Sequence, residues 1–247
     1  MELPTGIGSS LKTAKNVLVL TGAGMSAESG VPTFRDAQTG LWEKFRPEDL
    51  ATPEAFRRNP QLVWDWYEDR RKNIHKVKPH AGHFALVEME RYFGQFLLAT
   101  QNVDSLHQQA GSNNVIELHG NIMRSLCSET GKVIDDDLIQ SSSDRPPASP
   151  HHTRGLARPG VVWFGEALPA DAMNRAMMAA NECDLCFSIG TSTLVQPAAS
   201  LPFIALDAGA TVIEINPVPT ALSAVAQFSL QATAAETLPT IAAALVS

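Results

Sequence analysis

The chain has 247 residues, of which 44% are hydrophobic, and its formal net charge is −7. This length predicts one domain of ordinary size, with room for a smaller insert. The acidic balance argues against nucleic-acid binding, because proteins that bind nucleic acids present clustered positive charge. No apolar run is long enough to span a bilayer, so no membrane association is expected.

The N-terminal stretch and the cysteines indicate the compartment. MELPTGIGSSLKTAKNVLVL has an acidic second residue and no basic segment before its apolar run, so it does not resemble a secretory signal. Three cysteines are too few for a disulfide framework. We therefore expect a cytoplasmic protein.

Short apolar runs rich in β-branched residues recur along the chain, each with the length of a strand buried on both faces. They are NVLVL (16–20), QFLLAT (95–100), DLCFSIG (184–190) and TVIEIN (211–216). Between them lie segments with helical spacing, such as PQLVWDWYEDRRKNIHKV and HAGHFALVEMERYF. In the second segment, Phe84, Val87 and Tyr92 form the predicted apolar stripe. Alternating strands and helices predict an α/β fold with a mostly parallel sheet.

Three features are not expected to carry function. Residues 135–160 are rich in Ser, Pro and charge, and we interpret them as an irregular excursion from the main domain. Cys183 and Cys186 lead into a strand, so core packing is expected for them rather than metal binding. His80 and His83 are expected at the surface, where a helix starts.

The first predicted strand runs into a glycine-rich loop. Gly22-Ala23-Gly24-Met25-Ser26-Ala27 fits the G-x-G-x-x-G/A fingerprint, in which glycines let the backbone approach a pyrophosphate. A tight strand-to-helix turn would produce the same pattern. Redox enzymes also need an acidic residue at the end of a second strand about 20 residues on. Residues 30–45 contain no strand-like run, so a dehydrogenase is disfavoured.

Polar residues follow later strands. TQNVDSLHQQAG comes directly after the run at 95–100, where ligands bind in open α/β sheets, so Gln101, Asn102 and Asp104 are candidate binding residues. VIELHGN contains His119, and an ordinary histidine pKa of about 6.5 suits a general base near neutrality. An ordinary histidine at a strand end is an equally good interpretation.

Five motifs, in this order, resemble those of the sirtuins, the NAD-dependent protein lysine deacylases: GAGMSAESGVPTFRD, TQNVDSLHQQAG, ELHGN, VVWFGE and GTS. The resemblance runs from about residue 16 to residue 239. It implies a Rossmann-like parallel sheet with helices on both faces, plus a small inserted domain. The large NAD-binding part would comprise about 10–35, 80–120 and 160–247, and the small part about 36–79 and 121–159.

The resemblance also implies that NAD is the co-substrate, that His119 is the catalytic base, and that nicotinamide and O-acyl-ADP-ribose are released. The implied NAD-binding residues are Gly22, Ala23, Gly24 and Ser26 near the pyrophosphate, Phe34 and Arg35 beside the nicotinamide ribose and phosphates, Gln101, Asn102 and Asp104 on the ribose and carboxamide, and Gly190, Thr191, Ser192, Asn216 and Ala234 on the adenosine side.

The implied partners are acyl-lysine segments of other proteins. RPGVVWFGEALP is expected to supply an extended edge for the substrate peptide. Val161, Val162, Trp163 and Phe164 are placed near the acyl-lysine. VVWF by itself would fit a plain buried strand equally well.

Tyr67 and Arg70 bear on the acyl group. They lie three apart in a predicted helix and therefore share a face. A phenol and a guanidinium together can bind a carboxylate. The pair resembles the Tyr-x-x-Arg pair of sirtuins that prefer succinyl- or malonyl-lysine, so these acyl groups are favoured, with acetyl also possible. Without the resemblance, a surface pair on an amphipathic helix would be the better interpretation.

One departure from the family concerns zinc. Most sirtuins hold a structural zinc ion with two Cys-x-x-Cys pairs, whereas only Cys127 stands in place here, with Thr130 three residues later. Because a structural zinc site needs four ligands, no zinc and no other metal is expected.

Two alternative functions remain open, a protein mono-ADP-ribosyltransferase and a non-catalytic NAD-binding module. His119 and the intact TQNVD motif argue against a loss of activity. Label from NAD that stays on protein would indicate ADP-ribosyl transfer.

Overall fold

The structure is a computed structural model that describes residues 3–32, 46 and 49–246. Its strands are β1 (Asn16–Thr21), β2 (Gln95–Thr100), β3 (Val115–Glu117), β4 (Gly120–Cys127), β5 (Val133–Ile134), β6 (Ala157–Val161), β7 (Leu185–Ile189), β8 (Thr211–Ile215) and β9 (Phe228–Leu230). Its α-helices are α1 (Ile7–Thr13), α2 (Ala23–Ala27), α3 (Pro53–Arg58), α4 (Pro60–Ile74), α5 (Ala81–Tyr92), α6 (Leu106–Ala110), α7 (Asp136–Ser141), α8 (Ala170–Glu182), α9 (Leu201–Asp207) and α10 (Ala234–Leu245). Within this described part, no helix is both long and apolar enough to cross a membrane.

A parallel sheet forms the centre of the described part. Its six strands lie in the order β3-β2-β1-β7-β8-β9, and all neighbouring pairs are parallel. β1 pairs with β2 on one side and with β7 on the other, so the direction of strand addition reverses between β1 and β7. In open α/β sheets, ligands bind beyond the carboxyl ends of the strands at such a switch point.

Helices cover both faces of this sheet, as the sequence predicts. On one face, α1, α5 and α10 pack against the strands around a core that includes Leu11, Leu86 and Ile241. On the other face, α8 and α9 pack through residues such as Ala176 and Leu201. Burial of the sheet on both sides explains why its strands are almost continuously apolar.

A smaller antiparallel sheet has the strand order β5-β4-β6, and β6 is one of its edge strands. Helices α3 and α4 pack beside it, with Phe56, Trp66 and Ile122 in a common apolar cluster. Arg71 ties α4 to β4, because its Nη2 donates to the carbonyl of Arg124 at 2.8 Å and to Oγ of Ser125 at 3.1 Å.

The sequence expectation about the buried face of α5 was wrong. Phe84 and Tyr92 were expected in the buried stripe of α5, but they are 50% and 45% exposed and line an open groove beside α10. The buried face of α5 instead carries Leu86 and Met89.

Residues 135–160 are not wholly irregular either. They contain α7 and the start of β6, and the Asp135 side chain accepts a hydrogen bond from the N–H of Asp137 at the start of the helix. An aspartate at this position is a standard helix-start signal.

The loops that follow β1 and β7 touch at the switch point. The N–H of Gly22 donates to the carbonyl of Ile189 at 2.9 Å, and the N–H of Gly24 donates to that of Gly190 at 2.8 Å. A Cβ on Gly24 would lie 2.7 Å from Cα of Gly190, and Gly190 has φ +59°. Glycine is therefore required on both sides of this contact.

We predict that Gly24→Ala lowers the free energy of unfolding by about 1–3 kcal/mol, because the new methyl group has no room beside the neighbouring backbone. Gly8→Ala is the matched control. Gly8 lies in α1 with no atom near its added Cβ, so alanine should stabilise by up to about 1 kcal/mol. Urea unfolding followed by circular dichroism measures both changes, and equal changes in the two variants would contradict the account.

Candidate active site

Candidate cofactor residues from different loops meet beyond the carboxyl ends of the central strands. The Gln101 Nε2 group donates to Oγ1 of Thr191 at 2.9 Å. The Asn216 Nδ2 group donates to the carbonyl of Thr191 at 2.8 Å. Ser192 is exposed next to this junction. Thr191 therefore joins the loops after β2, β7 and β8 into one polar cluster.

A second polar network joins the glycine loop to the loop after β2. Asn102 Nδ2 donates to the carbonyl of Gly22 and to Oγ of Ser26, both at 2.9 Å. The Ser26 hydroxyl donates to Asp104 at 2.6 Å, and the second carboxylate oxygen of Asp104 accepts the N–H of Leu106 at 2.9 Å. Burial raises the pKa of Asp104, an effect that these hydrogen bonds oppose. Asn102 and Asp104 thus hold the two loops together.

The remaining residues assigned to NAD are placed differently. Ala23 is exposed in the glycine loop. Ala234 starts α10, but its methyl group is buried in the core, so it does not join the polar cluster. Phe34 and Arg35 lie outside the described residues.

His119 lies in the turn between β3 and β4 and contacts the loop that follows β2. Its Nδ1 lies 3.1 Å from the carbonyl oxygen of Gln101. A carbonyl can only accept, so Nδ1 carries the proton and Nε2 keeps its lone pair. Burial lowers the pKa of His119, an effect that this hydrogen bond opposes. The ring is therefore neutral near pH 7 and able to accept a proton at Nε2.

The VVWF stretch continues from edge strand β6. Val161 and Trp163 are buried, Val162 is half-buried, and Phe164 is 48% exposed. Two N–H groups of the stretch are used inside the protein, since Val162 donates to the carbonyl of His119 and Phe164 donates to that of Ala51, both at 2.9 Å. The stretch is therefore hydrogen-bonded to His119 through Val162, and its Phe164 side chain is partly exposed to solvent.

Tyr67 and Arg70 share one face of α4, beside the VVWF stretch. The phenol oxygen of Tyr67 accepts the indole N–H of Trp163 at 3.0 Å. The Arg70 guanidinium lies 5.0 Å from the ring centroid of Trp66, and its buried Nη1 has no hydrogen-bond partner among the described residues. Burial raises the pKa of Tyr67 to about 12 and lowers that of Arg70. Tyr67 is buried and Arg70 is partly buried, so the two side chains do not form an exposed surface pair.

Cys127 does not sit in a metal-ligand cluster. Burial would raise the pKa of its thiol, but hydrogen bonds from Ser149, from Thr130 and from two backbone N–H groups hold the pKa at about 7. Within the described ranges, no group of three or more His, Cys, Asp or Glu side chains is arranged to hold a metal ion. The absence of a zinc ion stays a prediction, which metal analysis of the purified protein tests.

The fold and the cluster at its switch point define an α/β protein of the Rossmann-like class. The Sir2 family model matches residues 22–197, and the chain belongs to the Sir2 family. An NAD-dependent protein deacylase of Aquifex aeolicus (strain VF5) is 52% identical over 213 residues, which cover 85% of this chain and 87% of the relative. An enzyme of the same name from Ralstonia nicotianae is 49% identical over 234 residues, with 94% and 93% covered.

Solved structures agree with this assignment. The crystal structure of a Sir2 homologue in complex with NAD superposes with a TM-score of 0.90 at 41% identity, covering 99% of this chain and 94% of that one. A Sir2 variant with a deacetylated p53 peptide and 3′-O-acetyl ADP ribose superposes with a TM-score of 0.83 at 30% identity, covering 94% of each chain. The expected Rossmann-like fold is thus confirmed.

Sequence reasoning missed a cluster of histidines packed beneath the glycine loop. His83, expected at the surface, is fully buried, and its ring centroid lies 4.3 Å from that of His80 and 5.0 Å from that of His107. His80 Nε2 contacts the carbonyl of Met25 at 2.7 Å, and His107 Nε2 contacts Oγ1 of Thr21 at 3.0 Å. The i, i+3 spacing of HAGH placed His80 and His83 together, but nothing in the sequence brought His107 to them.

This cluster makes stability depend on pH. Burial lowers the pKa of His83 to about 2 and that of His107 to about 3, so both rings stay neutral in the folded chain. The unfolded chain takes up these protons below a pH of about 6.5. The stabilisation is therefore complete above a pH of about 6.5 and is lost as the pH falls.

We predict that the free energy of unfolding drops by about 3 kcal/mol between about pH 7.5 and about pH 5.5 because of these two rings. Urea unfolding at both pH values measures the drop. His83→Asn should roughly halve it, since one of the two protonating rings is gone. A drop of the same size in the variant would argue against this origin.

Proposed function

We propose that this chain removes carboxylate-ended acyl groups, of the succinyl or malonyl type, from lysine side chains of other proteins. The chain is an NAD-dependent protein lysine deacylase. The preference for a carboxylate-ended acyl group is the finer part of the proposal. A single observation carries it, which is the buried Arg70 Nη1 without a partner among the described residues, next to the Tyr67 phenol.

NAD fits the chemistry of the polar cluster at the switch point. Amide and hydroxyl side chains there match the ribose hydroxyls, phosphate oxygens and carboxamide of the dinucleotide. When bound, NAD would supply an electrophilic ribose carbon after the departure of nicotinamide. The residues that would hold it are Gly22, Ala23, Gly24, Ser26, Phe34, Arg35, Gln101, Asn102, Asp104, Gly190, Thr191, Ser192, Asn216 and, through its backbone only, Ala234.

His119 is proposed as the general base. The hydrogen bond from Nδ1 to the carbonyl of Gln101 fixes the tautomer that leaves Nε2 free to accept a proton. Burial disfavours the charged ring and lowers its pKa, so the base is in its active form near pH 7. The carbonyl of His119 binds the N–H of Val162, which keeps the base next to the proposed peptide-binding stretch.

We expect His119→Ala to lower kcat for deacylation by at least about 100-fold, because no other side chain takes over the proton. NAD binding, measured by calorimetry, should remain detectable. His75→Ala is the matched control, since His75 is exposed just beyond α4. A His119→Ala enzyme with full activity would refute the assignment.

The substrate peptide is proposed to lie along the VVWF stretch. Phe164 presents an exposed ring, and β6 is an edge strand to which an extended segment can be added. Val161 and Trp163 are buried. We propose that they line the site of the acyl-lysine.

Two adjacent arginines of α4 show why Arg70 is assigned to the ligand. Arg71 is satisfied inside the protein, because it pairs with Glu68 at 2.6 Å and donates to three groups of β4. Arg70 makes no ion pair with any described residue. A buried guanidinium nitrogen without a hydrogen-bond partner is costly, and a carboxylate that arrives between Arg70 and Tyr67 would remove that cost. An acetyl group offers no such carboxylate.

We predict that Arg70→Met lowers kcat/KM for a succinyl-lysine peptide by about 10- to 100-fold, the loss expected when a charge-assisted hydrogen bond is removed. The value for an acetyl-lysine peptide should fall much less, so the succinyl-to-acetyl ratio falls. Arg70→Lys should give an intermediate ratio, because it keeps the charge but loses the planar fork.

Tyr67→Phe should also lower the ratio. Tyr92→Phe is its matched control, because Tyr92 is the other tyrosine of the chain and lies half-exposed at the end of α5. Mass spectrometry of the products from NAD and each peptide follows both reactions. Equal ratios in the wild type and in Arg70→Met would rule out the proposed acyl preference.

A further inference from the structure

The hydroxyl of Tyr67 carries one proton. Its hydrogen bond from the Trp163 indole limits the direction in which this proton can point. An indole N–H only donates, so the bond of 3.0 Å from Trp163 makes the phenol oxygen an acceptor. The phenol proton then has to be donated elsewhere, and no acceptor for it is present among the described residues. The same hydroxyl would lose this constraint without the indole.

The phenol also keeps its proton. Burial is the main reason that the pKa of Tyr67 rises to about 12, against the opposing influence of Arg70. At neutral pH, the pair therefore consists of a neutral phenol that can donate and a guanidinium that can donate. The Tyr67 hydroxyl and Nη1 of Arg70, two donors without an acceptor among the described residues, match the two oxygens of a carboxylate.

Trp163 is itself held in place by an ion pair. Arg158 lies with its Cζ 3.5 Å from the ring centroid of Trp163 and binds both carboxylate oxygens of Glu166 at 2.5 and 2.8 Å. Glu166 in turn accepts the backbone N–H of Trp163 at 2.8 Å. The indole also packs against Phe56, with ring centroids 5.3 Å apart.

We infer that Trp163 is a positioning residue for acyl selectivity: its indole N–H turns the Tyr67 hydroxyl into an obligatory donor to the carboxylate of the acyl chain. The inference rests on the proposed function, because it concerns the same pocket. Arg158 and Glu166 maintain the indole orientation. An acetyl chain carries no carboxylate to accept from this donor, so the effect that Trp163 exerts through the Tyr67 hydroxyl is confined to carboxylate-ended acyl groups.

The test is a double-mutant cycle on the ratio of kcat/KM for succinyl-lysine and acetyl-lysine peptides. Trp163→Phe keeps an aromatic ring against Phe56 but removes the N–H, and it should lower the ratio about fivefold, the effect of one hydrogen bond. KM for the succinyl peptide should rise more than kcat falls. In a Tyr67→Phe background, the same substitution should leave the ratio unchanged, because Trp163 acts through the phenol.

Two further variants show whether a lower ratio arises from misfolding or from the loss of the indole contact. Glu166→Gln weakens the ion pair and leaves the indole present, so it should lower the ratio in the same direction by a smaller factor. Trp64→Phe is the matched control, since Trp64 is buried in another cluster and its indole N–H has no hydrogen-bond partner among the described residues. Its ratio should equal that of the wild type.

The outcomes separate the two proposals. An Arg70→Met variant with the wild-type ratio overturns the proposed acyl preference and this inference together. A reduced ratio in Arg70→Met with an unchanged ratio in a folded Trp163→Phe overturns the role of Trp163 alone. Equal effects of Trp163→Phe with and without the Tyr67 hydroxyl also overturn it, because they would mean that the indole acts by packing only.

Discussion

The backbone contact between the glycine loop and Gly190 is the constraint on which the rest of the site depends. β1 and β7 are neighbours in the sheet, and the loops that leave them can run in contact only because Gly22, Gly24 and Gly190 have no side chains. This contact places Thr191 where the side chains of Gln101 and Asn216 both reach it. One steric requirement thereby brings the ends of several strands into a single polar surface.

The same contact gives the glycines of the fingerprint a different role from the one expected from the sequence. From the sequence, the glycines are expected to expose backbone N–H groups to a pyrophosphate. In the structure, the N–H groups of Gly22 and Gly24 are bound to the carbonyls of Ile189 and Gly190. These glycines therefore serve the packing of two loops, and the buried side chains of Ser26, Asn102 and Asp104 tie the glycine loop to the loop after β2.

Much of the fold follows from local sequence, and the errors have one physical origin. QFLLAT is a strand at its predicted bounds because a strand buried on both faces must be apolar throughout. The face of α5 was misjudged because His83 and Met89 pack against other elements there, whereas the larger aromatic Phe84 lies in an open groove. Helical spacing shows which residues share a face, but it does not show which face meets the core.

Arg70 and Arg71 illustrate the same limit at the site. They are neighbours in the chain with the same side chain, and successive residues of a helix point about 100° apart. One direction leads to the carbonyls of β4, which satisfy Arg71, and the other leads to the rings of Tyr67 and Trp66. The difference between the satisfied Arg71 and Arg70, the arginine proposed to bind the ligand, therefore arises from the partners that the fold brings near. Because those partners come from distant parts of the chain, the sequence could name the motif but not show that one nitrogen of Arg70 is left without a hydrogen-bond partner among the described residues.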